Sequence, residues 1–247
     1  QAPESFLLFT AFFTLSSALR RHVKVGKEYL GGWECFPNMY IVFVGPPGVV
    51  NKSTTINYAD LLLEQINIEK VQGAVTTPII VNRLKQSADS SIYILADELG
   101  VLIEKAGTTL FSTLITLFDG KKKLEEETIS RGHVFADNPS VNFFAGTTEE
   151  WIGENLTSGQ LGGGWGSRTL FIRETAPRYH RLIYKGKTKN AQHYEELGND
   201  LAEDLMHIAN NIHGEFHMDE ATCNWFDDWF TKNATANTSN ERKIKGY

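Results

Sequence analysis

The segment that most limits the fold is residues 40–59, YIVFVGPPGVVNKSTTINYA. Its unbroken apolar start fits a strand covered on both faces, as in the parallel sheets of α/β proteins. A loop bearing glycine and proline follows, then a helical pattern, and this order sets a helix N-terminus over whatever the loop holds. The loop is close to G-x-x-x-x-G-K-[ST], in which backbone N–H groups surround phosphates, a lysine meets the β and γ phosphates and a hydroxyl binds Mg²⁺. It departs from that pattern twice: Gly45 to Lys52 is one residue longer, and Asn51 stands where glycine is usual. The candidate nucleotide-binding residues are Gly45, Pro46, Pro47, Gly48, Asn51, Lys52, Ser53 and Thr54, with Ser53 as a metal ligand. Asparagine enters the left-handed backbone region more readily than other non-glycine residues, so Asn51 is tolerable there, and the question for the loop is whether Asn51 adopts the positive φ that would let it close around a phosphate. The plain alternative is a strand-to-helix turn capped by Ser or Thr.

Further apolar runs read as strands at 22–30, 91–100, 140–148 and 168–174, with helical patterns at about 6–19, 53–66, 78–88 and 108–118. Strands alternating with helices make the chain α/β, with a mostly parallel sheet. Residues 121–137, KKKLEEETISRGHVFAD, break the rhythm and suit a β-hairpin projecting from the sheet. The expected division is a core at 1–176 and a small helical, lid-like appendage at 177–247. The apolar run at 6–19 is shorter than the roughly 20 residues a spanning helix needs, so a buried core helix is expected and no membrane partner. Its start almost inside this helix and its end without a stop signal make the chain read as an excised piece of something longer.

Three more segments carry chemistry. In YILADELG, Asp97 and Glu98 end a strand 45 residues after Lys52. In a phosphate-loop ATPase such an aspartate holds the metal and such a glutamate polarises the attacking water; a helix cap is the alternative. In FFAGTTEEW, Thr147 and Thr148 lie where a γ-phosphate-sensing hydroxyl would sit, and Thr148 also suits an N-cap for the helix beginning at Glu149. In LGGGWGSRTLFI, a glycine-rich turn delivers Arg168 just before a strand, which fits an arginine finger or a plain surface arginine.

The order of FPNMYIVFVGPPGVVNKSTTI, LADELGVLI, SRGHVFADNPSVNFFAGTTEEW and GGGWGSRTLFI resembles a family of phage and prophage P-loop ATPases described as primase- or helicase-like. The resemblance covers roughly residues 5–185, and it implies a chain continuing beyond Tyr247. Members usually carry a basic residue before the loop lysine, and Asn51 departs from that. The layout also resembles the AAA+ plan of minichromosome-maintenance and superfamily 3 helicases, whose inserted hairpin enters the central channel of a hexamer. The resemblance implies ATP and Mg²⁺ as cofactors, single-stranded DNA as partner, and a hexamer in the host cytosol. It also implies catalytic roles for Glu98, Thr148 and Arg168, a metal role for Asp97, and DNA contacts by Lys121, Lys122, Lys123 and Arg131. A DNA-packaging or loading motor, and a nucleotide-gated scaffold that unwinds nothing, are the other readings.

Composition narrows this little. The formal charge of -6 excludes a protein basic all over, so nucleic acid would be met through a local patch or a ring of hairpins. Cys35 and Cys223 form neither a disulfide framework nor a metal cluster.

Overall fold

The computed structural model describes residues 2–73, 75–107, 109–128, 132–176 and 189–239. In chain order the elements are α1 (Glu4–Leu19), β1 (Val23–Val25), β2 (Tyr40–Val44), α2 (Lys52–Gln65), β3 (Glu69–Val71), α3 (Thr77–Gln86), β4 (Ser91–Ala96), α4 (Leu99–Ala106) and α5 (Thr109–Phe118). There follow β5 (Lys123–Thr128), β6 (Gly132–Asp137), β7 (Ser140–Thr147), α6 (Glu149–Asn155), α7 (Ser158–Leu161), β8 (Thr169–Arg173), α8 (Lys189–Asn211), β9 (Gly214–Phe216) and α9 (Glu220–Ser239). The chain is α/β around a five-stranded, all-parallel sheet of order β3-β4-β7-β2-β8.

Every residue of β2, β4 and β7 is buried, which is why these strands read as continuous apolar runs rather than alternating ones. Tyr40, Val42, Val44, Ile92, Ile94, Val141 and Phe143 face one layer, shared with α3, α4 and α5. Ile41, Phe43, Tyr93, Leu95 and Phe144 face the other, formed by α1, α2 and α8. On that side Phe6 of α1 stacks on Phe43 with ring centroids 3.9 Å apart, and Phe13 packs on Phe144. Some polar groups in the layers are paired, since Asn142 Oδ1 accepts from Ser16 Oγ and the Met39 N–H and the Tyr40 hydroxyl donates to the Leu114 carbonyl, whereas Ser17 Oγ, Ser91 Oγ, Thr147 Oγ1 and Trp165 Nε1 are buried with no hydrogen-bond partner among the described residues.

The helix expected at 6–19 is α1, with one side in the core and Leu8, Phe12 and Leu15 exposed on the other. Among the described residues no single helix is long and apolar enough to cross a membrane. The strand expected at 22–30 shrinks to β1, because the chain turns at Gly26. Four short elements escaped the sequence reading: the edge strand β3, helices α4 and α7, and strand β9. The hairpin is present: β5 and β6 pair antiparallel, and Leu124 and Ala136 bury against the layer that holds α3. The boundary expected at residue 177 opens a segment outside the described residues. Beyond it α8 returns to the core, burying Ala202, Leu205 and Ala209 beside α1 and α2, and β9 pairs in parallel with β1.

Candidate nucleotide-phosphate site

All five sheet strands run the same way, so their carboxyl ends form one edge, and in open α/β sheets that edge is where ligands bind. The loop after β2 lies there. Asn51 has φ 54° and ψ 38°, the left-handed conformation that closes the longer loop, and Gly48 also has positive φ, at 69°. These two residues turn the chain so that α2 begins at Lys52 directly behind the loop. Val50 between them is fully buried and anchors the longer loop in the α1/α2 layer. Asn51 makes no side-chain cap bond; its carbonyl accepts from the Thr55 hydroxyl at 2.8 Å.

Lys52 is only 9% exposed, and its ammonium donates to the carbonyls of Gly45 at 2.5 Å and Pro46 at 3.2 Å. Burial holds its pKa below the usual lysine range, while Glu98 and Glu150 pull the other way. The lysine is thus a desolvated cation held inside the loop, ready to exchange carbonyls for an anion.

The acidic strand is not adjacent to β2: β7 lies between β2 and β4. The carboxylates reach the loop across that strand because β7 carries Gly146 at the crossing. A Cβ at Gly146 would lie 2.8 Å from the Asp97 carbonyl oxygen, so any side chain would force the Asp97 backbone to move, while Lys52 Cβ at 3.6 Å would be in ordinary contact. Gly146 escaped the sequence reading; its signal was a glycine inside an otherwise apolar strand.

The result is a cleft of about 280 Å³ lined by Pro46, Pro47, Gly48, Asn51, Lys52, Ser53, Thr54, Asp97, Glu98 and Thr148. Ser53 and Thr54 are exposed, and so are Asp97 and Glu98, whose side chains make no hydrogen bond or ion pair to the described residues. Small-molecule sites occupy roughly 300–1,000 Å³, so the cleft has room for a phosphate tail rather than a whole nucleotide. Oxygen donors from a hydroxyl and a carboxylate, beside a second carboxylate, are the set a hard cation such as Mg²⁺ takes. The residues fit that ion.

Thr148 is the N-cap of α6, accepting from the Trp151 N–H at 3.2 Å, and it lines the cleft as well. Thr147 is fully buried and lies outside the cleft.

Arg168 lies elsewhere. It precedes β8, at the amino end of the sheet, and its guanidinium grips Asp119 bidentately at 2.6 and 3.0 Å and donates to the Gly164 carbonyl at 2.7 Å. Within its own chain it is not part of the loop's cleft. The hairpin base is also at the amino end: Lys121 and Lys122 are exposed, and Lys123 pairs with Glu125 at 2.6 Å with its ammonium 4.4 Å from the Phe135 ring centre. Arg131 lies outside the described residues.

Comparison with protein-family models found no matching family, and comparison with curated proteins found no match.

Proposed function

We propose that this chain is an ATPase of the P-loop class with an AAA+-like layout, working as an oligomeric motor on DNA. One observation carries the reading: Lys52 and Ser53 at the head of α2 share a single cleft with Asp97, Glu98 and Thr148 at the carboxyl edge of a parallel sheet. A capped turn alone does not call for a buried lysine aimed into the loop or for two carboxylates left without partners among the described residues.

In this reading Lys52 meets the β and γ phosphates in place of the two loop carbonyls it now contacts. Ser53 and Asp97 hold Mg²⁺, which when bound neutralises phosphate charge. Glu98 takes the proton of the attacking water, a role open to a carboxylate no cation has claimed, and the Thr148 hydroxyl orients the terminal phosphate. Arg168 serves a neighbouring subunit's nucleotide, since it projects from the opposite end of the sheet, and it must leave Asp119 to do so. Lys121 and Lys122 offer their charges to a nucleic-acid backbone.

A second reading, a nucleotide-gated scaffold, draws support from the same end of the molecule, because Arg168 and Lys123 already hold carboxylates. Glu98→Gln separates both readings from a structural turn: ATP is still bound while turnover falls about 10²–10⁴-fold. Unchanged turnover would remove Glu98 from the mechanism. Strand displacement on a forked DNA by wild type and Lys122→Ala then divides motor from scaffold.

A further inference from the structure

The motifs that drew attention to the loop do not account for Arg173. It is the last residue of β8, and in the sheet register it sits beside Val44, whose other neighbour is Thr147. Its guanidinium holds Glu149 bidentately, Nε to Oε1 at 2.7 Å and Nη2 to Oε2 at 3.1 Å. Glu149 directly follows the cleft residue Thr148 and opens α6. The ion pair therefore runs from the strand on one side of β2 to the chain leaving the strand on the other, across the point where β2 becomes the phosphate loop. The same point is tied by backbone bonds, from the Gly45 N–H to the Thr147 carbonyl and from the Glu174 N–H to the Val44 carbonyl.

Charge gives this pair a role beyond tying strands. Among the described residues Lys52 is the only cation lining the cleft, and it faces Asp97 and Glu98 there. A magnesium triphosphate is itself an anion, so filling the cleft leaves negative charge in excess of what one lysine balances. A guanidinium pairs bidentately with phosphate as well as with carboxylate. Arg173 is half exposed, and the carboxylate it holds, Glu149, follows the cleft residue Thr148 in the chain.

We propose that Arg173 is a second phosphate-binding cation supplied within the same chain, restrained by Glu149 and transferred to the terminal phosphate when a triphosphate is bound. This rests on the ATPase reading above. It makes the Arg173–Glu149 pair the element that distinguishes triphosphate from diphosphate, with Glu149 competing against the ligand.

The test measures binding of ATP and ADP with Mg²⁺ by calorimetry, on a Glu98→Gln background that slows hydrolysis, for Arg173→Ala, Glu149→Gln and Lys52→Ala. Arg173→Ala should weaken ATP about tenfold relative to ADP, and Glu149→Gln should tighten ATP relative to ADP by a few-fold. Opposite signs are the mark of competition; a pair that only braces the loop would weaken both nucleotides when either partner is removed. Equal shifts for ATP and ADP, or shifts of the same sign in both variants, would overturn the inference while leaving the ATPase reading intact if Lys52→Ala abolishes binding. Absence of ATP binding in the parent protein, or binding indifferent to Lys52→Ala, would overturn both.

Discussion

The two ends of the central sheet handle charge in opposite ways. At the amino end the arginines are committed: Arg20 holds Asp89 at 2.6 Å, Arg21 donates to the carbonyls of Gly120, Lys121 and Pro139 and lies over the Phe36 ring, and Arg168 grips Asp119. At the carboxyl end a lysine is buried against carbonyls, and Asp97 and Glu98 make no hydrogen bond or ion pair among the described residues. The first arrangement ties α1, α5 and the hairpin base to the sheet. The second leaves charge unbalanced, and such departures from local consistency gather where a protein binds something. The contrast predicts a double dissociation: changes at the carboxyl end should cost function more than stability, and changes at the amino end the reverse.

The largest expected effect is that of Lys52→Met. Nucleotide turnover should fall by about 10²–10³-fold, the scale of losing one preorganised donor to a developing charge. Stability at neutral pH should not fall and should rise by about 1 kcal/mol, because an apolar chain replaces a buried ammonium. The sign follows from the lowered pKa of Lys52. The folded state disfavours the protonated form, so stability rises with pH as the folded pKa is passed and up to the unfolded lysine value near 10.4. Paired measurements of turnover and chemical denaturation check it; a large loss of stability would end the contrast between the two ends.

Gly146→Val is the exception that sharpens the comparison, since it lies at the carboxyl end yet should cost both. A side chain there meets the Asp97 backbone rather than a flexible tip, so the strand or the acid must move. Overpacking of this kind costs about 2–3 kcal/mol, and the displaced Asp97 should weaken Mg-dependent binding. Urea denaturation and a Mg²⁺ titration of nucleotide binding read the two effects separately.

At the amino end Asp89→Asn should leave turnover unchanged and cost about 1.5–2 kcal/mol, as for a partly buried charge-assisted hydrogen bond. Burial alone would push the Asp89 carboxyl up, but Arg20, with Ser91 and His22, brings it below the ordinary aspartate range. A carboxylate depressed in the folded state contributes stability above its unfolded pKa, near 3.9, and loses it as pH falls through the lower folded value. The wild type should therefore lose stability in acid below about pH 4, and the variant should lose less over the same range. Identical acid profiles would sever Asp89 from that loss.

These contrasts also mark what could be read from the sequence. Local order was legible: the strand, loop and helix around Lys52, the strand ending at Asp97, the hairpin after Lys121 and the cap at Thr148 are written in periodicity and turn chemistry. Relations between distant segments were not. Nothing in the run at 140–147 says that it lies between β2 and β4, although that position gives Gly146 its purpose. Nothing near Arg168 announces Asp119 as its partner, or near Arg173 announces Glu149. The polar composition after residue 177 read as an appendage because the stripe of Ala202, Leu205 and Ala209 shows its meaning only when α1 lies beneath it. Pairing of β1 with β9, three residues each, has no local signature at all.

The smallest effect tests the loop itself. A non-glycine residue in the left-handed region costs on the order of 1 kcal/mol, less for asparagine, while glycine costs about 0.5–1 kcal/mol in lost chain entropy. Asn51→Gly should therefore change stability by no more than about 0.5 kcal/mol, and Asn51→Ala should lose about 1 kcal/mol, because alanine keeps the strain without asparagine's tolerance of it. Turnover separates backbone from side chain. The Asn51 amide lines the cleft but caps nothing, so if its contribution is the turn it permits, Asn51→Gly retains turnover and Asn51→Ala loses it in proportion to the strain. Loss of turnover in Asn51→Gly with stability intact would instead make the amide a phosphate contact.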